Sequence, residues 1–517
     1  MAPTTSDSDA RLAGYAALAD RYSLCAICNR HRSRVSHAKI HRTVVEGLFV
    51  EEVYPRSFWP GESLGDHLAF ALKYDGTNLA LLDLIFQQPI EDELLAYIQS
   101  KPTGRYARRL WFLYEFLTGR CLPLGDLTQG NYVDLLDPED YYTLDTPRRV
   151  RRYRINDNLL GDRRFCPIVR RTEVLRAFEA ADLGDRCRDV VAGYAEHVIR
   201  RALGYLYMRE TKSSFAIENE DISPDRIARF LALLERAEEE DFCERGPLVA
   251  LQNRIVPAAF HESDFRTTQN YVGETLYWNK HRIHYASPKP EDVDGLIAGL
   301  IAAHQRIESG GLSPVVHAAA IAYGFVFIHP FEDGNGRVHR FLIHNILARR
   351  GFTPDRLIFP VSAAMLRDRR AYDESLEAFS RQLTPVIDYT QDDAGQLTVH
   401  NDTARWYRYI DFTAQAEALF RFIESTIDTE LPQELAFIAS YDNTKRAIQE
   451  IVDMPDRKID LFVQCCLRNN GRLSARKREL FSVLSDDEIA RLEEAVRTGY
   501  GSDRVREALA AYDAGGV

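Results

Sequence analysis

His329-Pro330-Phe331-Glu332-Asp333-Gly334-Asn335-Gly336-Arg337-Val338-His339-Arg340 joins two stretches that each read as a helix. Upstream, Ser313-Pro314 has the form of a helix start, an N-cap hydroxyl followed by proline at the first helical position. The apolar run 315–328 is long enough for a buried helix rather than a strand. Pro330 ends it, because proline drives the preceding residue out of the α region toward extended geometry. His329 is therefore expected at the exit of a rigid, buried support. Downstream, Val338, Phe341, Leu342 and Ile346 recur at helical spacing. Arg349 and Arg350 suit the negative end of that helix dipole, and Gly351 can close it.

What lies between the two helices has the chemistry of an anion site. Gly334 and Gly336 allow a sharp turn whose amides point into one concavity, continuous with the positive N-terminus of the second helix. Arg337 and Arg340, one turn apart, share a helix face and offer planar forks matched to phosphate oxygens. Asp333 is a hard oxygen ligand of the kind that holds Mg²⁺ together with nucleotide phosphates. His329 has an ordinary pKa that leaves much of it neutral, and so basic, near pH 7. A base, a metal carboxylate, an amide nest and two arginines describe a nucleotidyl- or phosphoryl-transfer site, where the work is alignment and charge neutralisation.

The run also resembles the Fic-domain signature His-Pro-Phe-x-Asp/Glu-Gly-Asn-Gly-Arg-x-x-Arg, with every specified position present. The resemblance, which covers about residues 195–355, implies a helical catalytic core with a small β-hairpin flap; periodicity alone adds an N-terminal mixed region and a C-terminal helical domain, for a mainly α fold. It implies a protein adenylyltransferase that moves AMP from Mg-ATP to a Ser, Thr or Tyr hydroxyl of a target protein, with self-modification as a side activity. By motif position, His329 would deprotonate the hydroxyl and Asp333 would hold Mg²⁺. Gly334, Asn335, Gly336 and Arg337 would hold the α- and β-phosphates, and Arg340 the γ-phosphate. Ser214-x-x-x-Glu218-Asn219 matches the inhibitory Ser/Thr-x-x-x-Glu-Gly/Asn motif of some Fic proteins. There Glu218 would pair with Arg340 and leave ATP in an unproductive pose. Two alternatives stay open: another Fic-type phosphate transfer or AMP removal, and a nucleotide-sensing regulator that binds nucleic acid.

Composition sets the frame. At 517 residues, about three domains are expected, and 45% hydrophobic with 27% charged residues is ordinary for a globular chain. The assignment is 1–175 for an N-terminal mixed accessory domain, 176–400 for the catalytic domain with inhibitory helix and flap, and 401–517 for a C-terminal helical domain. A net charge of −12 argues against general affinity for nucleic acid or acidic membranes. MAPTTSDSDARLAGY lacks the basic-then-apolar pattern of a signal peptide, and no apolar stretch approaches membrane-spanning length. Eight scattered cysteines make no disulfide framework, so a reducing cytoplasm is expected. Expected partners are ATP, a target protein and a further copy of the chain; the target and what relieves the restraint are not encoded legibly.

Taken in order, Leu12, Tyr15, Ala16, Leu18 and Ala19 suggest a short amphipathic helix. Cys25-x-x-Cys28 and His37-x-x-x-His41 have a superficial likeness to a zinc site, but the gap between the pairs is short and ordinary thiols are preferred. Arginines 148, 149, 151, 152, 154, 163, 164, 170 and 171 form a basic patch. They are expected to form a solvated surface, or to pair with nearby acids such as Asp137, Glu139 and Asp140, rather than to contact nucleic acid. Alternation across His281-Arg282-Ile283-His284-Tyr285, bounded by turn residues, places the flap near 269–287. Residues 292–308 read as an amphipathic helix, with His304 and His317 as core or surface histidines rather than ligands. Past 400 the pattern stays helical, Leu431-Pro432 is expected to break it, and Ser485-x-x-Glu488 is a capping box.

Overall fold

The computed structural model describes residues 10–37, 41–46, 49–220, 222–277, 280–354 and 357–501. Residues 1–9, the Gly515-Gly516 end and residues 278–279 within the expected flap lie outside the described residues. The protein is mainly α-helical with small sheets. No described helix is long and apolar enough to cross a membrane. The chain divides into two compact units, neither contiguous in sequence. One comprises Met1–Ala177, Glu240–Ile346 and Arg370–Leu419; the other comprises Phe178–Glu239, Leu347–Arg369 and Phe420–Val517.

The first unit begins with a four-stranded sheet, in spatial order Arg11–Leu12, His31–Ser36, Phe49–Pro55 and Arg42–Glu46. Helices follow where capping side chains stop the chain from continuing as strand. Ser63 accepts from the amide of Asp66 and Asn78 from that of Leu81. Cys25 and Cys28 are exposed, and His41 pairs with Glu52 at 2.8 Å. Several arginines of the patch pair with acids other than Asp137, Glu139 and Asp140, while Arg149, Arg151 and Arg163 stay solvent-exposed. Arg148 pairs with Asp157, Arg152 with Glu115, Arg164 with Asp162 and Arg170 with Asp411, at 2.6–3.3 Å. Arg154 instead donates to the carbonyls of Leu127, Thr128 and Gly130. Arg164 and Arg148 find acids two and nine residues away, whereas Arg152 and Arg170 reach across 37 and 241 residues.

The centre of this unit is helical and apolar. The helix Pro290–Glu308 packs Ile297, Leu300, Ala303 and Ile307 inward. The expected buried helix is present over Pro314–Ile328, but in three segments: α over Pro314–Ala318, a π turn over Ala319–Tyr323, and α again over Gly324–Ile328. Ser313 stands at the N-cap position, yet its hydroxyl makes no capping bond. The next helix spans Asn335–Arg349, with Val338, Phe341, Leu342 and Ile346 all buried, and Gly351 (φ +64°) turns the chain out of it.

The second unit has its own core, built on Ile448, Ile459, Phe462, Val463, Cys466, Leu492 and Val496. Pro432 does not break the helix there. A π turn at Thr426–Glu430 runs directly into Leu431–Ile451, and proline is tolerated because it falls in that helix's first turn. The capping box at Ser485 and Glu488 is formed in both directions. The helix Glu196–Ile217 ends at the Ser214–Asn219 stretch. Ser214 is buried on the helix, Glu218 is its exposed C-cap, and Asn219 adopts left-handed backbone at φ +56°. The amide of Glu220 reaches the carbonyl of Phe215, and that of Asn219 the carbonyl of Ala216. This is a Schellman ending, whose left-handed position admits glycine or asparagine with least strain. The Gly/Asn choice in that motif is therefore a matter of backbone geometry. Arg369 fastens the same end by donating to the carbonyl of Ile217 at 2.6 Å.

Candidate active site

All residues singled out between His329 and Arg340 lie on one loop and the helix after it. His329 ends the buried helix, and Pro330 does expel it from the α region. It lands in the left-handed region (φ 52°, ψ 57°), not in the extended one. The imidazole is half-buried, and its Nδ1 lies 3.1 Å from the carbonyl oxygen of Val326. A carbonyl can only accept, so Nδ1 carries the proton and the neutral ring has its lone pair on Nε2.

The loop is held from several sides. Asn335 clamps Phe331, accepting from its amide (3.0 Å) and donating to its carbonyl (2.7 Å). Glu262 accepts from the amides of Glu332 (2.9 Å) and Asp333. Burial first, and then the neighbouring charges of Glu332 and Asp333, raise the pKa of Glu262, while these amides hold it down. Gln252, fully buried, donates to the carbonyl of Asp333 at 3.3 Å. The amide of Gly334 is taken by Asp333 Oδ1. Four consecutive amides, 331 to 334, are thus satisfied within the protein. The anion-facing donors are consequently those of Asn335, Gly336 and Arg337, the first turn of the helix, which no intrahelical carbonyl can reach. Gly336 lies in that turn; the sharp bend belongs to Gly334 alone, at φ +89°. A Cβ on Gly334 would meet Val256 at 2.7 Å. Gly334→Ala should cost about 1–3 kcal/mol through backbone strain and this clash, read as a lowered midpoint in chemical unfolding.

Both arginines of the motif are buried, at 2% and 1% exposure. Arg337 donates to Asp333 Oδ1 at 2.7 Å, so it orients that carboxylate as well as contributing charge. Arg340 donates to the hydroxyl of Tyr372 at 3.3 Å. Ser214, Glu218 and Asn219 stand together at the helix end in the second unit.

A residue not singled out from the sequence ties this loop to the flap. Arg266, 4% exposed, donates from Nε to the carbonyl of His329 (2.8 Å), and from its two terminal nitrogens to those of Thr268 (2.6 Å) and Pro288 (2.7 Å). Its own amide reaches the carbonyl of Pro330. Burial lowers its pKa, and the charge of Glu332 opposes that fall. The flap itself is the expected hairpin, Tyr271–Tyr277 against Lys280–Ala286, with register shifts after Val272 and Thr275. Its feet are clasped by Ser287 to Asn270, Asn270 continues to the carbonyl of Phe331, and Tyr285 donates to the carbonyl of Phe327. No local pattern marks Arg266: one cation in a polar stretch looks like any surface arginine.

Residues 246–347 match the Fic/DOC family. The protein adenylyltransferases fic-1 of Caenorhabditis briggsae and Caenorhabditis elegans are each 30% identical over 174 residues, 33% of this chain and 31% of theirs. The chain therefore spans about a third of the length of these curated relatives. A Fic family protein from Desulfovibrio desulfuricans G20, known from its crystal structure, aligns with 66% of this chain and 90% of its own at 17% identity and a TM-score of 0.35. The chain carries a Fic/DOC family domain and is a distant homologue of the protein adenylyltransferases.

Proposed function

We propose that this domain transfers AMP from Mg-ATP to a hydroxyl group of a target protein, with His329 as the general base. One observation carries the reading: His329 is held at a left-handed helix end with Nδ1 bonded to Val326, which puts the basic lone pair on Nε2. The first-turn amides of the Asn335–Arg349 helix and Arg337 and Arg340 supply the phosphate cradle beside it. The target hydroxyl gives its proton to His329 Nε2 as its oxygen bonds the α-phosphorus. The bond from that phosphorus to the bridging oxygen breaks, and pyrophosphate leaves. Asp333 fits the requirement for Mg²⁺: it is a hard oxygen donor, fixed through Oδ1 by Arg337 and Gly334, with its side chain 34% exposed. When bound, the ion would neutralise phosphate charge. The two-stranded flap offers strand edges on which a target's main chain could pair.

Glu218 is the proposed restraint, acting by engaging Arg340 in place of the γ-phosphate. Its exposed C-cap position and the Schellman ending that fixes the helix terminus support this role. The test is incubation with ATP labelled on the α-phosphate. Glu218→Gly should raise labelling of protein about 10–100-fold, the value of one charge-assisted pair. Unchanged labelling would remove Glu218 as the gate, and absence of label on any protein, including the chain itself, would overturn the transfer reading.

A further inference from the structure

Away from the loop, in the same unit, a second cluster carries metal-ligand chemistry. The helix Pro290–Glu308 presents His304 and Glu308 four residues apart on one face. Asp241 reaches the same place from the segment ahead of the Arg245–Ile255 helix. One ligand atom from each lies within 4.8 Å of the others. His304 is 1% exposed, whereas Asp241 and Glu308 are half-buried, so the cluster is closed below and accessible above.

The cluster is built rather than incidental. The backbone on both sides of Asp241 is pinned by the fully buried Asn345, which donates to the carbonyl of Glu240 (2.7 Å) and accepts from the amide of Phe242 (3.3 Å). Asp241 Oδ1 accepts from the amide of Cys243 at 2.9 Å, which aims Oδ2 at His304 Nε2, 3.3 Å away. On the other side of the ring, His304 Nδ1 lies 3.0 Å from Nε2 of His317, which is fully buried. Two imidazole nitrogens at that distance need one N–H and one lone pair. With the proton on His304 Nδ1, Nε2 of the neutral ring presents a lone pair to the carboxylates. A ligating histidine held through its other nitrogen by a buried acceptor is how proteins fix such a ring.

We propose that Asp241, His304 and Glu308 bind one divalent transition-metal ion of the zinc type, with His317 orienting His304. The proposal is independent of the AMP-transfer reading. The competing arrangement is a hydrogen bond from His304 Nε2–H to Asp241, with the ring neutral and accepting from His317 or charged as an imidazolium. A charge-assisted bond of that kind closes to about 2.7–2.9 Å. The observed 3.3 Å is long for that pair and matches the edge of a tetrahedron whose ligands sit about 2.0–2.1 Å from a central ion. A dication between two converging carboxylates also relieves their repulsion. One imidazole with two carboxylates favours zinc-like ions over Mg²⁺, and three protein ligands leave a position for water. The ion would fasten the 241 segment to the Pro290–Glu308 helix and, through Asn345, to the helix that carries Arg337 and Arg340.

The test uses the full chain in a Cys25→Ser/Cys28→Ser background, since that exposed pair could itself take up zinc. After dialysis against chelator, Zn²⁺ is titrated in competition with a chromophoric chelator, and Co²⁺ reports coordination by its visible spectrum. One equivalent is expected to bind. His304→Gln and Glu308→Gln should each weaken binding by at least about tenfold and alter the Co²⁺ spectrum, and His317→Gln should weaken it about 10–100-fold. Glu308 is half-buried, so its variant should keep the wild-type circular dichroism while its melting temperature no longer rises with Zn²⁺. Uptake below a tenth of an equivalent, or equal affinity in the folded Glu308→Gln form, overturns the proposal in favour of the His304–Asp241 hydrogen bond.

Discussion

Replacing His329 by alanine is expected to lower AMP transfer by about 10²–10⁴-fold, the range for losing a positioned general base. ATP affinity should change little, because the first-turn amides and both arginines stand on the next helix. Transfer is read from α-phosphate label on protein, and affinity from titration with a fluorescent nucleotide. Retention of label at wild-type rate would show that another group takes the proton. Loss of nucleotide binding in parallel would mean that the imidazole shapes the cradle instead. The expectation rests on geometry. With Nδ1 committed to Val326, only Nε2 can accept, and a left-handed backbone at the helix end determines where it points.

Arg266→Met should be the most destabilising single change in this region. The substitution keeps an unbranched stem but removes the three side-chain donors that satisfy the carbonyls of His329, Thr268 and Pro288. Each orphaned buried group costs about 1–3 kcal/mol, and with partial rehydration a total of about 3–5 kcal/mol is expected. Urea unfolding measures that loss. Arg266 acts through the backbone of His329 rather than on substrate, so kcat should fall more than KM for ATP rises. Arg266→Lys keeps a charge but reaches one carbonyl at a time, and should recover part of the stability with little of the rate. A variant that unfolds like wild type would show that the buried fork is not the fastening.

The motif between His329 and Arg340 was legible because its chemistry is local: the loop, its glycines and the two arginines are contiguous in sequence. The hairpin was legible for the same reason, as alternation between turn residues. What resisted reading involves partners far apart in the chain. Arg266 meets His329 across 63 residues, Glu262 meets Glu332 across 70, and Asp241 meets His304 across 63. None of these carries a periodic signature. His304 and His317 read as core histidines, and they are buried. Their mutual contact and the approach of Asp241 arise only when three segments pack. The π turn at Ala319–Tyr323 escaped because an apolar run has the same appearance whether its bonded groups lie four or five residues apart.

That π turn has a consequence for the base. Ala319–Tyr323 adds a residue to the helical path between His317 and His329 without adding a full turn. Each residue of α-helix rotates the chain beyond it by about 100°. Shortening the segment by one would swing the imidazole about the axis by about that angle, out of its present register with the loop. Because these residues are small or apolar, exchanging one for another alters volume but not angle. Spacing, more than the identity of any alanine in the stretch, is what this segment has to preserve.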